Sequence, residues 1–285
     1  MSNELQPLSG IFVKRIFRIP DYQRGYAWLQ PQLVDFWEDL VNLQPNRNHY
    51  TGLLSLRPLK DKESKDWRKE QWVVQKGYKP CHIVDGQQRL TTFVILLHEI
   101  IKFVRGLNQG KSDSEIMLGD DTVKDIVSKY ICIKKGTITT YLFGYENDNP
   151  SAEYMTYKVL EAPLSKEVTE TYYTKNLKKA KEFFANNISN LYEEAGSNGF
   201  ETINALYKKL TNHLMFNLHE IDDNYDVFVA FETMNNRGKK LTNLELLKNR
   251  LIYLTTLYEW YVENGDTRTL ANLQVLQSKL NHPRQ

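Results

Sequence analysis

Cysteine is nearly absent from this chain: Cys81 and Cys132 are the only two in 285 residues. That leaves no disulfide framework and no cysteine-based zinc site, and it fits a reducing compartment. Six histidines are scattered without the spacing of a metal-ligand set. No apolar run approaches the roughly 20 residues that a membrane-spanning helix needs. The longest, such as Phe93 to Leu97, are of core-helix size. The opening residues lack the basic-then-apolar pattern of a secretory leader. A cytoplasmic location and no membrane partner are therefore expected. Charge of one sign is not in excess either, with 37 Lys+Arg against 35 Asp+Glu and a net charge of +2. This excludes a uniformly basic nucleic-acid coat but allows a local basic groove. No internal repeat or low-complexity tract is visible.

What is present is the composition of a folded globular chain, 25% charged and 41% hydrophobic, which excludes disorder. The most informative stretch runs from His82 to Thr92, His-Ile-Val-Asp-Gly-Gln-Gln-Arg-Leu-Thr-Thr. Cys81, Ile83 and Val84 predict a short buried strand that ends at Asp85-Gly86. Leu90, Phe93, Val94, Leu97, Ile101 and Val104 then recur at three- and four-residue steps, the pattern of an amphipathic helix. A strand, a glycine turn and a new helix N-terminus present unpaired backbone N–H groups to an anion. Asp-Gly is also an ordinary turn pair. The four polar residues Asp85, Gln87, Gln88 and Arg89 are more than solvation of a turn requires.

Before this motif, residues Ile11 to Ile19 alternate imperfectly between apolar and basic and predict a strand. A loop follows, Pro20-Asp21-Tyr22-Gln23-Arg24-Gly25-Tyr26-Ala27-Trp28. It reads either as a surface turn whose aromatics close the core or as a ligand loop. In the second reading Arg24 forks onto phosphate and Tyr22 or Trp28 offers a stacking face. Pro31 opens a helix with Leu33, Phe36, Trp37, Leu40 and Val41 as its apolar stripe. Strands are expected at Tyr50–Leu56 and Trp72–Val74, separated by a charged loop over Lys60–Glu70. The motif strand is continuously apolar and is expected to be central.

The composition shifts to Gly, Asn, Gln, Ser and Lys between Gly106 and Ser114. This divides the chain into residues 1–106, a small α/β domain, and 107–285, a mainly helical region that completes the pocket. Helices are expected at Asp121–Tyr130, around Leu177–Leu191 and at Phe200–Leu210, with a strand-like run over Leu214–Leu218. Near the C-terminus, Phe228 to Arg250 predicts a helix stopped at Asn235-Asn236-Arg237-Gly238. The next helix is capped by Thr242 and Glu245, which that local role explains fully. Asn235, Asn236 and Arg237, with Lys248 one or two turns on, are either turn residues or a second polar wall of a ligand pocket.

Taken together, Ile-Pro-Asp-Tyr-Gln-Arg-Gly-Tyr-Ala-Trp at 19–28, Val-Asp-Gly-Gln-Gln-Arg-Leu-Thr-Thr at 84–92 and Phe-Glu-Thr-Met-Asn-Asn-Arg-Gly-Lys-Lys-Leu-Thr at 231–242 resemble the N-terminal domain family of GmrSD-type modification-dependent restriction proteins. The resemblance spans roughly residues 10–255. It implies an α+β fold, a small ParB/sulfiredoxin-like mixed sheet with helices followed by a mainly helical region. It also implies binding and hydrolysis of a nucleoside triphosphate, GTP or ATP, in a bacterial defence system against phage DNA. Carried onto this sequence, Asp85, Gln87, Gln88 and Arg89 are the catalytic candidates. Gly86 completes that nucleotide motif, with Tyr22, Gln23 and Arg24 as the opposing wall. Thr91 and the polar wall read from the sequence itself, Asn235, Arg237 and Lys248, are further nucleotide-binding candidates.

Elementary chemistry agrees with that assignment. Gly86 allows close backbone approach and Arg89 forks onto phosphate oxygens. Asp85 can hold Mg²⁺ directly or through water, and Gln87 or Gln88 can orient a water. The implied partners are the nucleotide, DNA that carries a modification, and a nuclease domain or subunit; the Tyr- and Leu-rich C-terminal helices would suit a homodimer. The His-Asn-His nuclease that many members of the family carry is not expected within these residues, since Asn281-His282-Pro283 is too little for one. The expectation is a chain that does not cut DNA unaided, either a stand-alone regulator or a piece of a longer protein. A non-catalytic DNA- or nucleotide-sensing module that controls a partner nuclease is the competing reading.

Overall fold

The computed structural model describes residues 4–60, 67, 70–146, 149, 151–163, 168–221, 247 and 251. By its internal contacts the chain divides into two compact units, residues 1–21 with 25–222, and residues 22–24 with 223–285. The first unit is a mixed α/β body, and nearly all described residues belong to it.

Its elements are, in chain order, β1 (Glu4–Pro7), α1 (Leu8–Ile11), β2 (Arg15–Ile19), α2 (Gln30–Val41), β3 (His49–Pro58), α3 (Gln71–Val74), β4 (Lys79–Asp85) and α4 (Gln87–Leu107). The short pair β5 (Met117–Leu118) and β6 (Asp121–Thr122) leads into α5 (Val123–Ile126), which continues as a π-helical turn to Ile131. A hairpin of β7 (Cys132–Lys135) and β8 (Ile138–Tyr141) precedes β9 (Phe143–Tyr145). Then come α6 (Ser151–Tyr154), the long α7 (Tyr172–Glu194), α8 (Gly199–Lys208) and β10 (Leu214–Glu220).

Six strands form one mixed sheet in the order β1-β10-β3-β4-β2-β9. The motif strand β4 lies inside it, parallel to β2 and antiparallel to β3, and β2 in turn is parallel to β9. Strands from both sides of the Gly106–Ser114 composition shift therefore share this sheet. The shift itself falls where α4 ends, at Leu107.

Helix α4 is the spine of the core. Every residue from Leu90 to Ile101 is buried, including the charged pair His98 and Glu99. A helix buried on all sides needs a second layer, which α7 supplies through Leu177, Ala180, Phe184 and Ile188. Helix α2 adds Leu33, Phe36 and Leu40, with Phe36 edge-on to Phe184 at 6.2 Å between centroids. Glu99, Glu161, Lys102 and Lys181 form a charge cluster at the α4–α7 seam, with Lys181 Nζ 2.6 Å from Glu161 and 3.8 Å from Glu99.

Two local expectations are corrected. Trp72–Val74 is a helical turn, not a returning strand. Three apolar residues cannot set a period, and Trp72 is held by its indole N–H donating to Thr140 Oγ1 at 3.0 Å. The strand expected over Ile11–Ile19 is shortened: α1 ends at Ile11, the chain turns at Lys14 with φ 47°, and β2 begins at Arg15. Among the described residues no helix is long and apolar enough to cross a membrane.

Candidate functional site

Strands β2, β4 and β9 run parallel and end together, at Ile19, Asp85 and Tyr145. The carboxyl ends of parallel strands are where ligands bind in open α/β sheets. The loops that leave these ends are tied to one another. Asp21 N donates to Glu146 Oε2 at 3.1 Å, and His82 Nε2 lies 2.7 Å from Glu146 Oε1. Burial alone would raise the Glu146 pKa, but the bonds from His82 and the Asp21 amide hold it below the usual carboxylate value.

Gly86 makes the turn from β4 into α4 with φ 91° and ψ 5°, in the left-handed region. A Cβ here would stand 2.9 Å from Leu54 Cδ1 and 3.0 Å from Leu53 O. The close approach that demands glycine is thus to β3. The first intrahelical bond of α4 is Leu90 N to Gly86 O at 3.0 Å, so the amides of Gln87, Gln88 and Arg89 form the orphan first turn.

The polar residues of that turn divide by use. Gln88 is engaged at both ends of its amide: Oε1 accepts from Ala27 N at 2.7 Å, and Nε2 donates to Gly25 O at 3.1 Å. It fixes the loop after β2. Tyr26, between those two residues, is fully buried and its hydroxyl meets Thr92 Oγ1 at 2.6 Å. The Thr92 hydroxyl already donates to Gln88 O at 2.9 Å, so the tyrosine is the donor. Burial pushes its pKa well above the ordinary value, which keeps it protonated. Thr91 is also fully buried, its hydroxyl donating to Gln87 O at 2.7 Å.

Arg89 replaces a length of strand. β4 ends at Asp85, opposite Ser55, while β3 extends back to His49. Along this overhang the guanidinium takes the vacant hydrogen-bonding place: Nη1 donates to Thr51 O at 3.0 Å and Nη2 to Leu53 O at 2.6 Å. It lies against Gly52, whose φ is 124° and where a Cβ would come 1.7 Å from Nη1. A longer contact of 3.5 Å joins Nη2 to Asp85 Oδ2.

Asp85 and Gln87 remain for chemistry. Burial raises the Asp85 pKa, against the Arg89 charge and the Gly86 N–H. Gln87 is 8% exposed, and its Oε1 is buried without a hydrogen-bond partner among the described residues. Among those residues no three His, Cys, Asp or Glu side chains converge as a metal-binding group.

Beside Arg89 opens a pocket of about 230 Å³ whose wall includes Trp28, Gln32, Asp35, Asp39, His49 and Thr51. Sequence reasoning missed the acidic residues here. Asp35 and Asp39 look like the solvated face of α2, and only the fold sets them over the overhang of β3. All of these residues belong to the first unit. Tyr22, Gln23 and Arg24 belong to the second, with Gln23 buried and the other two half-buried. Asn235, Arg237 and Lys248, with the turn and helices expected around them, lie outside the described residues.

A comparison with curated proteins found no match. A family model described as the GmrSD restriction endonuclease N-terminal domain matches residues 8–252, which takes in every element from α1 to β10 and all three motifs. The chain belongs to the GmrSD restriction endonuclease N-terminal domain family.

Proposed function

We propose that this protein binds and hydrolyses a nucleoside triphosphate at the β4–α4 turn, as the regulatory part of a DNA-modification-dependent restriction or phage-defence system. Family membership ties the chain to restriction of DNA. The observation that carries the finer reading is Gln87, a buried carboxamide oxygen without a partner among the described residues, on the first turn of a helix that follows Asp85. Phosphate oxygens suit the orphan amides of that turn and its positive dipole end. Gln87 Oε1 would accept a hydrogen bond from a water and so orient it, a use of glutamine known in nucleotide hydrolysis. Gln88, held at both ends, does not have that freedom. Asp85 is the residue that would hold Mg²⁺, which commonly takes one or two carboxylates and completes its shell with phosphate and water. The metal would supply charge neutralisation on the phosphates. Arg89 contributes positive potential from its fixed place against β3.

Phosphate release by the purified chain tests this reading, with Mg²⁺ and each of the four nucleotides, with and without DNA. Wild type is expected to turn over and Gln87→Ala to bind with turnover reduced about 100-fold, the scale of one positioned catalytic group. Absence of both binding and turnover would sink the reading. The clamped state of Gln88 and Arg89 favours a second one, in which the same turn binds nucleotide or modified DNA without chemistry and controls a partner nuclease. Binding with no phosphate release under any of these conditions selects it.

A further inference from the structure

The geometry points to the pocket beside Arg89 as a guanine-base site, so that the protein discriminates GTP from the other nucleoside triphosphates. This rests on the nucleotide reading of the adjoining α4 turn and adds the base to it. The pocket and the turn share Arg89, which stands on the first turn of α4 and on the pocket wall. Three of its five N–H donors serve Thr51 O, Leu53 O and Asp85, and two remain. Thr51 Oγ1, on the same wall, is buried without a hydrogen-bond partner among the described residues. The rim carries acceptors, Asp35 and Asp39 at an i, i+4 spacing on the exposed side of α2, with His49 Nε2 3.5 Å from Asp39 Oδ2. Trp28 offers an apolar face, packed at 6.1 Å on Phe36.

This arrangement excludes most ligands. Two rim carboxylates repel a phosphate, so a triphosphate would keep to the α4 amides and place its base in the pocket. A cationic ligand would meet the Arg89 charge on the wall. What fits is a flat neutral group with paired donors on one edge and paired acceptors on another. Guanine is that group: O6 and N7 accept, while N1–H and the 2-amino group donate side by side. Ionised carboxylates accept only, and two parallel N–H groups suit one. Adenine and cytosine set a ring nitrogen acceptor beside their amino donor, and uracil flanks its single N–H with carbonyls. Each would aim a lone pair at Asp35 or Asp39.

The test is a set of binding constants for GTP, ITP, ATP, CTP and UTP, measured by calorimetry with Mg²⁺ on the full chain and on Asp35→Asn/Asp39→Asn. Both aspartates are exposed, and a thermal melt checks that the variant folds. Wild type is expected to prefer GTP over ATP by about 10-fold or more, the discrimination of one good bidentate contact. ITP, which lacks the 2-amino group, should fall between them. In the variant GTP weakens while ATP is unchanged or tightens, because two charges that repel phosphate are gone. Equal affinity for all nucleotides in wild type, or a uniform shift in the variant, overturns the guanine site and leaves the nucleotide reading standing. No binding of any nucleotide overturns the nucleotide reading itself, and the guanine site with it.

Discussion

Replacing Arg89 with alanine should destabilise the fold before it tells anything about chemistry. The side chain donates to Thr51 O and Leu53 O, two carbonyls on the overhang of β3. A hydrogen bond from a charged donor contributes about 1.5–3 kcal/mol, and these are only partly shielded, so the loss is about 2–4 kcal/mol. The contact with Asp85, at 3.5 Å, adds at most a few tenths. Urea unfolding reads this directly, as a lower midpoint at an unchanged slope.

Gly52 gives the sharper check. In wild type, Gly52→Ala must displace the guanidinium, because the new Cβ would lie 1.7 Å from Nη1. In the Arg89→Ala background that clash is gone. Only the cost of a non-glycine residue at φ 124° remains, about 1–2 kcal/mol. The double-mutant cycle should therefore show a coupling of at least about 1 kcal/mol. Additive effects, or an Arg89→Ala protein within about 0.5 kcal/mol of wild type, would refute the strand-replacing role. Lost phosphate release in Arg89→Ala then has meaning only where the variant remains folded.

Three further outcomes are expected. Gln88→Ala removes the bonds to Ala27 N and Gly25 O, costs about 1–2 kcal/mol in urea unfolding, and speeds proteolytic cleavage between Pro20 and Leu29. Asp85→Asn is neutral or stabilising at pH 7 while nucleotide binding falls. Its folded pKa is raised by burial, so its contribution to stability is present in acid and lost as pH rises through that value; a marked loss of stability at pH 7 contradicts this. Glu161→Gln costs about 1 kcal/mol at neutral pH, a figure reduced for its partial exposure. Burial raises the Glu161 pKa, but bonds from Lys102 and Lys181 outweigh it and hold it at about 2. The contribution is therefore lost as pH falls through about 2, and the two proteins should converge there in chemical unfolding.

Much of the site was legible because its signals are local. Ile83 and Val84 before Asp85-Gly86, and the three- and four-residue recurrence from Leu90, place a strand and a helix without knowledge of the rest. Gly86 was readable as a point of close backbone approach, and the structure adds Leu53 and Leu54 of β3 as neighbours that a Cβ there would meet. The employment of Gln88 and Arg89 was hidden. Their partners are backbone atoms of Gly25, Ala27, Thr51 and Leu53, and a carbonyl looks the same under any side chain. Trp72–Val74 failed for the opposite reason, since three residues of strand-like type carry too little pattern to outweigh the packing that makes them a helical turn. Asp35 and Asp39 had no local signal at all; their meaning comes from a strand that ends early on the far side of a glycine turn.

The pairing of β1 with β10, which sets Glu4 opposite Leu218, bears on how the protein comes into being. A ribosome makes the N-terminal strand first and its partner about 200 residues later. Until β10 emerges, β3 has no neighbour on one side, and the loop to be closed is nearly the length of the body itself. Such a chain should fold late and slowly, with an unprotected strand edge for much of its synthesis. Premature termination anywhere before Glu220 would release a product prone to aggregate, so the cell would either complete this protein or lose it.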